Sequence, residues 1–279
     1  MKDPEITAIK QAILADPKIE ESLRILLNLV KISREAQGVS EGSDYVLDES
    51  MLSEGFPLAD ARLLPHDIGP LRERFSRLVG VILENDARSA DEIIRFYADG
   101  ETFRGLLSGV LAQEYQFPVT FTGSGSAALL AANETLLWLL IPIRQQAQRG
   151  NLFGQWVASY CPVCGAAPHL SLIEGDEGLL FLSCSRCLAR WKFRRMTCPF
   201  CGQTEQKNLR YFTAERDTVH RVYVCESCKH YLKSTDLREK ATVFPRLEDL
   251  MTIRLDIVAK REGYVRDTVD LVSVLATGQ

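Results

Sequence analysis

The chain has 279 residues, 46% hydrophobic and 25% charged, which is ordinary for a soluble globular protein and long enough for one large domain or two smaller ones with real cores. The opening residues Met1 to Glu5 carry neither a basic run nor an apolar stretch, so no secretory signal is expected. The most apolar segment, Ala127 to Ile143, is interrupted by Asn133, Glu134 and Pro142; it falls short of a membrane span and reads as a buried helix, so the expected location is cytoplasmic.

The net charge of −4 is unevenly spread: residues 1–160 hold 15 Lys and Arg against 22 Asp and Glu, whereas residues 161–240 hold 13 against 9. That mildly basic segment is less basic than a nucleic-acid module would be, so nucleic acid is not an expected partner. The asymmetry fits a partner of acidic character or two independently solvated domains.

Helical periodicity runs through the first 150 residues. Ile6, Ile9 and Ile13 mark a helix that ends near Asp16-Pro17; Leu23, Leu26, Leu27 and Val30 mark a second that stops near Gly38. Residues 38–57, with Gly42, Ser43, Gly55 and Pro57, read as a surface loop. Leu71, Phe75, Leu78, Val79 and Ile82 define a third helix. Ser89 and Glu92 have the spacing of a capping box for a fourth, with Ile93, Ile94 and Tyr97 inward. Leu106, Leu107, Val110 and Leu111 define a fifth, and the long apolar helix closes near Gly150. These segments predict a helical bundle.

After Tyr160 the texture changes. All eight cysteines follow within 68 residues, in short β-like segments such as Leu179 to Leu182 and Arg221 to Val224. Helical character returns from Leu247 to Val258, on Leu250, Ile253, Leu255 and Ile257.

Every cysteine belongs to a C-x-x-C pair: Cys161 with Cys164, Cys184 with Cys187, Cys198 with Cys201, and Cys225 with Cys228. Such a pair lets a tight turn aim two sulfurs at one ion, with proline fixing φ at the entry and Gly165 or Gly202 supplying a positive φ at the exit. Two turns make a tetrahedral four-sulfur site, suited to zinc or to a single iron. The segment repeats, each half opening with C-P-x-C-G and closing with a plain C-x-x-C behind an apolar strand. The repeat favours pairing half by half over an interleaved arrangement, although spacing alone leaves both open. Each half is too small to fold on an apolar core alone, and metal binding, worth on the order of 10–16 kcal/mol in such peptides, would staple it. A scaffolding role and a redox role both remain open, and Cys198-Pro199-Phe200-Cys201 taken alone resembles a glutaredoxin-type dithiol.

Arg190 to Arg195 alternates basic and aromatic residues. As a strand it would place Arg190, Lys192 and Arg194 on one face and Trp191 and Phe193 on the other, either as a docking or nucleic-acid surface or as a linker with its aromatics in the core. Gly123 to Ser126 reads as a helix-capping loop rather than an anion cradle. His66, His169, His220 and His230 are scattered and read as surface groups or neighbours of the sites. No catalytic triad or carboxylate pair can be argued from this sequence.

The run Tyr160-Cys161-Pro162-Val163-Cys164-Gly165-Ala166-Ala167-Pro168 resembles the formate dehydrogenase accessory (formation) protein family, FdhE. So do Cys184 and Cys187 followed by Trp191, the Cys198 and Cys201 pair, Cys225 and Cys228 followed by Tyr231-Leu232-Lys233, and the tail from Asp249 through Glu262-Gly263-Tyr264. The match runs from about residue 150 to the C-terminus. The resemblance implies a cytoplasmic assembly factor, not an enzyme, that binds the catalytic subunit of respiratory formate dehydrogenase before twin-arginine export. It further implies two metal ions per chain, iron favoured and zinc possible, on the eight cysteines. The readings from other classes are a nucleic-acid-binding zinc-ribbon protein and a rubredoxin-like electron carrier.

The expected architecture is α+β: an α-helical domain over 1–155, two rubredoxin-like ribbons over 156–195 and 196–242, and a C-terminal helix and tail over 243–279.

Overall fold

The computed structural model describes residues 3–35, 47–114, 125–240, 242–266, 268, 269, 271, 272 and 274. The expectations for residues 38–46, for 123 and 124, and for the final tail from 275 lie outside the described residues.

The first half is helical: α1 (Pro4–Ala15), α2 (Glu20–Glu35), α3 (Glu49–Ser53), α4 (Gly69–Ile82), α5 (Ala87–Phe96), α6 (Gly100–Ala112) and α7 (Gly125–Arg149). The apolar stripes face inward as their spacing predicts: Ile9, Leu23, Leu26, Val30, Phe75, Leu78, Leu107 and Val110 are all fully buried. Helix α7 packs against α2, α4 and α6 and buries Leu130, Leu136, Leu140 and Ile143. By length and apolar composition it could cross a membrane, but most of that stretch is buried inside the protein. Pro142 is accommodated within the helix rather than ending it.

Two local expectations are corrected. The fourth predicted helix is capped by Asp86, whose carboxylate accepts from the Ser89 amide at 3.1 Å. Ser89 therefore lies inside the helix and no Ser89–Glu92 capping box forms; an Asp at N-cap does the same work with a charge-assisted bond. Within the segment expected as loop, residues 49–53 form α3, started by Asp48 accepting from the Ser50 amide.

The second half forms one six-stranded sheet from β1 (Pro168–Glu174), β2 (Leu179–Cys184), β3 (Arg190–Phe193), β4 (Leu209–Phe212), β5 (His220–Cys225) and β6 (Tyr231–Asp236). The order is β3-β2-β1-β6-β5-β4. Each half is an antiparallel three-stranded ribbon, and the two join where β1 runs parallel to β6, Leu170 opposite Lys233 and Ile173 opposite Asp236.

The expected C-terminal helix is two helices, α8 (Pro245–Met251) and α9 (Ile253–Arg261), with Thr252 between them donating its hydroxyl back to the Glu248 carbonyl at 2.8 Å. Leu255 and Ala259 of α9 pack on Val222, Val224 and Tyr231, so α9 covers one face of β5 and β6. Ile257 points outward, 46% exposed, because the break resets the helical phase. Beneath these helices lies a buried ionic cluster. Lys233 contacts Asp249 at 2.7 Å and Asp256 at 2.5 Å, and Arg266 contacts Asp249 at 2.8 Å and Asp256 at 2.9 Å. The Tyr231 hydroxyl donates to Asp256 at 2.8 Å, so two cations balance two carboxylates with their oxygens hydrogen-bonded.

The helical half is fastened to the C-terminal half through Arg246 at the start of α8. It reaches Glu134 in the middle of α7 at 3.0 Å, which explains how a carboxylate is tolerated in that apolar helix.

Candidate metal centres

The eight sulfurs gather into two groups, Cys161, Cys164, Cys184 and Cys187 in one and Cys198, Cys201, Cys225 and Cys228 in the other; within each, all sulfurs lie within 4.8 Å of one another. The grouping is half by half, as the repeat predicts, and all eight are free cysteines. The Cys161–Cys187 and Cys164–Cys184 sulfurs are 3.4 and 3.5 Å apart, and the Cys198–Cys228 and Cys201–Cys225 sulfurs are both 3.7 Å apart. A tetrahedron of thiolates ~2.3 Å from a central ion needs sulfurs about 3.8 Å apart. The residues present therefore fit a tetrahedral metal, the two close contacts of the second group lying near that spacing and those of the first a few tenths of an ångström short of it.

The four turns share one backbone design. In each, the first cysteine's amide donates to the carbonyl five residues on: Cys161 to Ala166, Cys184 to Ala189, Cys198 to Gln203 and Cys225 to His230. The fourth residue after that cysteine is left-handed, with φ 71° at Gly165, 61° at Leu188, 73° at Gly202 and 60° at Lys229. This residue reverses the chain, and Gly165, Gly202 and Lys229 donate back to the carbonyl of their leading cysteine at 2.9, 3.0 and 2.8 Å. The amides inside the turn point at the leading sulfur. Val163 donates to Cys161 at 3.3 Å, Arg186 and Cys187 to Cys184 at 3.3 Å, and Phe200 to Cys198 at 3.4 Å. Such donors stabilise sulfur in its anionic form. At Cys225 burial pushes the thiol up, but the Cys228 and Ser227 amides and the Cys201 thiol outweigh it and bring it down to about 7. At Cys161 and Cys187 burial dominates and holds the thiols well above their usual range.

The surroundings of the two groups differ. All four cysteines of the first are buried, and the helical half clamps them. The Leu58 and Ala59 amides donate to the Pro162 and Val163 carbonyls at 3.0 and 2.8 Å. From α7, Arg144 donates to the Cys187 carbonyl at 2.8 Å. Arg186, between the two cysteines of its own turn and buried, donates to the Cys164 carbonyl at 3.2 Å and to Asn133 at 2.8 Å. Two guanidiniums thus sit beside a site that would carry a net negative charge once four thiolates bind a divalent ion. In the second group Cys201 is exposed and Cys228 half-buried. Its supports are local: His230 stacks on Phe200 with ring centroids 4.9 Å apart and shares a hydrogen bond with the Cys228 carbonyl at 3.0 Å.

Among the histidines, His230 stands beside the second group and His169 on β1 shares a 3.1 Å hydrogen bond with the Ser183 carbonyl next to Cys184. His220 stands apart, between Asp217 at 2.8 Å and Glu248 at 2.6 Å. In the basic–aromatic strand Trp191 and Phe193 are buried, Arg190 pairs with Glu174, and Lys192 is exposed, so the aromatics serve the core and offer no stacking surface. Arg144 and Asn133 on α7 and, just after α6, Gln113, which carries a 3.3 Å bond to the Cys164 carbonyl, have no signature in the sequence, since they are distant in the chain. Arg186 has a visible one: a cation placed inside a metal-binding pair.

Two sets of paired cysteine turns mounted on one mixed sheet, with the first buried against a helical bundle, define a ribbon protein with two four-cysteine sites. Two FdhE family models match this chain: that of the FdhE central domain over residues 160–195 and that of the FdhE C-terminal domain over residues 196–272. It is similar to "Protein FdhE homolog" of Aquifex aeolicus, 37% identical over 115 residues, which are 40% of this chain and 41% of the relative. A second "Protein FdhE homolog", from Cronobacter sakazakii, is 25% identical over 226 residues, covering 78% of this chain and 69% of the relative. The matched stretch thus spans less than half the length of the Aquifex relative. The crystal structure of the FdhE protein from Pseudomonas aeruginosa has the same fold, with a TM-score of 0.68 at 20% identity over 96% of this chain and 93% of that one.

Proposed function

We propose that this chain is a cytoplasmic accessory protein in the maturation of respiratory formate dehydrogenase, binding the catalytic subunit before export and catalysing no reaction itself. The observation that carries this reading is the pair of four-cysteine groups on one sheet in a chain whose residues 160–272 match the FdhE domain models. In this reading Cys161, Cys164, Cys184 and Cys187 bind one metal ion and Cys198, Cys201, Cys225 and Cys228 a second, with iron favoured over zinc. The ions supply cross-links that a small ribbon lacks and, if iron, a one-electron couple. The domains are the helical unit over 1–155, ribbons over 156–195 and 196–242, and the C-terminal segment from 243.

The test is an anaerobic pull-down with the metal-loaded chain as bait, together with formate oxidation in a strain lacking the gene. Retention of the catalytic subunit and loss of oxidation are expected. Failure to retain it, with normal oxidation in the deletion strain, would sink the proposal.

The exposed Cys201 favours a second reading, an electron carrier working through the second site. It requires iron and a reversible reduction there, and a protein that binds only zinc in the cell rules it out.

A further inference from the structure

The two faces of the sheet are dressed differently. Helix α9 covers the face that carries Val222, Val224 and Tyr231. On the other, a cavity of about 390 Å³ has Ile173, Leu180, Leu182, Leu209 and Leu232 along its floor. Strand register puts these leucines on one surface: Leu180 opposes Ile173, and Leu232 opposes Tyr223, which in turn opposes Tyr211. The link between the ribbons must travel from edge strand β3 to Cys198 beside β5, and it crosses this face, so residues 195–200 form the opposite wall.

The cavity has polarity. One end abuts Cys198 and Cys225 of the second cysteine group. Arg195, Arg210 and Arg221 also line it, and no Asp or Glu does among the described residues. None of the three charges is closely paired: Arg210 reaches Glu226 only at 3.8 Å. Arg195 reaches the Glu177 carbonyl at 3.5 Å. Arg221 lies over the Tyr211 ring and reaches Asp236 only at 3.7 Å, while that carboxylate is already engaged at 2.6 Å by Arg238. Two of the lining residues also reach the outer surface as an apolar rim, Met196 at 53% exposed and Tyr211 at 61% exposed.

A helix about 10–12 Å across does not enter a space of this size. An extended strand does, and alternate side chains pointing down and out give the pattern the cavity asks for. The exposed apolar rim extends the surface beyond what a small ligand would cover. The leucine floor takes aliphatic or phenyl groups, and the loosely held guanidiniums take carboxylates.

We propose that this cavity is a docking site for an extended peptide segment that alternates apolar and acidic residues, seated between the sheet face opposite α9 and the inter-ribbon link beside the second cysteine group. The proposal goes beyond the assembly reading and does not depend on which protein supplies the segment.

The test uses the full-length, metal-loaded chain and a fluorescein-labelled dodecapeptide alternating Leu or Phe with Asp or Glu, followed by fluorescence anisotropy. The controls are the same peptide with Lys at the acidic positions and a labelled twelve-nucleotide thymidine strand. The acidic peptide is expected to bind on the order of tenfold more tightly than the lysine peptide. Arg195→Glu and Met196→Glu, both at exposed positions, are expected to weaken it by a similar factor with unchanged circular dichroism and metal content. Equal binding of the two peptides, no binding of either, insensitivity to both substitutions, or tighter binding of the oligonucleotide would overturn the proposal. Because the probe contains no formate dehydrogenase sequence, its failure leaves the pull-down result standing on its own.

Discussion

Leu188 and Lys229 hold one conformation at one place in two different cysteine turns, with φ 61° and 60°, four residues after Cys184 and Cys225. Gly165 and Gly202 hold it in the other two. The left-handed region costs a non-glycine residue roughly 1–2 kcal/mol, and the turns accept this because it brings the next carbonyl back onto the amide of the leading cysteine.

The two glycines should therefore respond unequally to alanine. A Cβ at Gly202 would meet nothing within 4 Å, so Gly202→Ala is expected to cost only the backbone strain, about 1 kcal/mol. A Cβ at Gly165 would lie 3.2 Å from Pro57 Cγ, so Gly165→Ala is expected to cost more. Denaturant midpoints of the metal-loaded variants measure both. A larger loss at Gly202 would show that the turn conformation, not the Pro57 contact, sets the difference.

Metal should leave the two sites in a fixed order. The second group includes exposed Cys201, whereas every cysteine of the first is buried under the helical half. Challenge with a chromogenic chelator is expected to give two phases of equal amplitude, with Cys201→Ser abolishing the fast one and leaving the slow one. A single phase, or loss of the slow phase in that variant, contradicts this assignment. Cys161→Ala is expected to lower stability more than Cys201→Ser, because it also breaks the seat of the helical domain.

The buried ionic cluster makes a third prediction. Lys233→Met leaves Asp249 and Asp256 to share Arg266, and removal of one partner from such a cluster costs on the order of 3–5 kcal/mol. Burial alone would raise the Asp249 carboxyl, but Arg266 and Lys233 hold it well below the usual range. A depressed folded pKa gives stability that is present above the unfolded value and lost as pH falls, so the variant should begin acid unfolding at higher pH than the parent. Arg24→Ala, which breaks an exposed pair with Glu20, is the control and should change stability by less than about 1 kcal/mol. Comparable effects of the two substitutions would refute the role given to the cluster.

His220 titrates in the opposite sense. Burial lowers its pKa, but the Glu248 and Asp217 carboxylates outweigh burial and leave it raised, with Lys240 competing for Glu248 at 2.6 Å. A raised folded pKa gives stability that is full below the unfolded value and fades as pH climbs through the folded one. His220→Gln should consequently cost more at pH 5.5 than at pH 9 when melting temperatures are compared with the parent. A penalty independent of pH would mean that the ring serves only as a hydrogen-bonding spacer.

Short-range chemistry is legible in the amino-acid sequence. The C-x-x-C pairs, their exit glycines and the repeat between halves foretell two sulfur groups, because a turn's geometry is set by a few consecutive residues. The helical stripes through Phe75 and Leu107 are equally plain. What stays hidden depends on residues far apart in the chain. Nothing in the pattern around Leu170 announces a parallel partner at Lys233, and nothing near Arg144 or Asn133 points to a cysteine turn on another element. The phase reset at Thr252 is hidden for a different reason: a single hydroxyl returning to the Glu248 carbonyl ends one helix and starts the next without proline or glycine.

The parallel seam between β1 and β6 also orders events in time. Strand β1 emerges during synthesis well before β6, and until β6 arrives its outer edge offers unpaired amides and carbonyls to any other chain. Parallel closure over so long an intervening loop is intrinsically slow, because its entropy must be met before the first contact forms. The newborn first ribbon is thus an adhesive half-sheet, and the second ribbon is the piece whose arrival retires that edge.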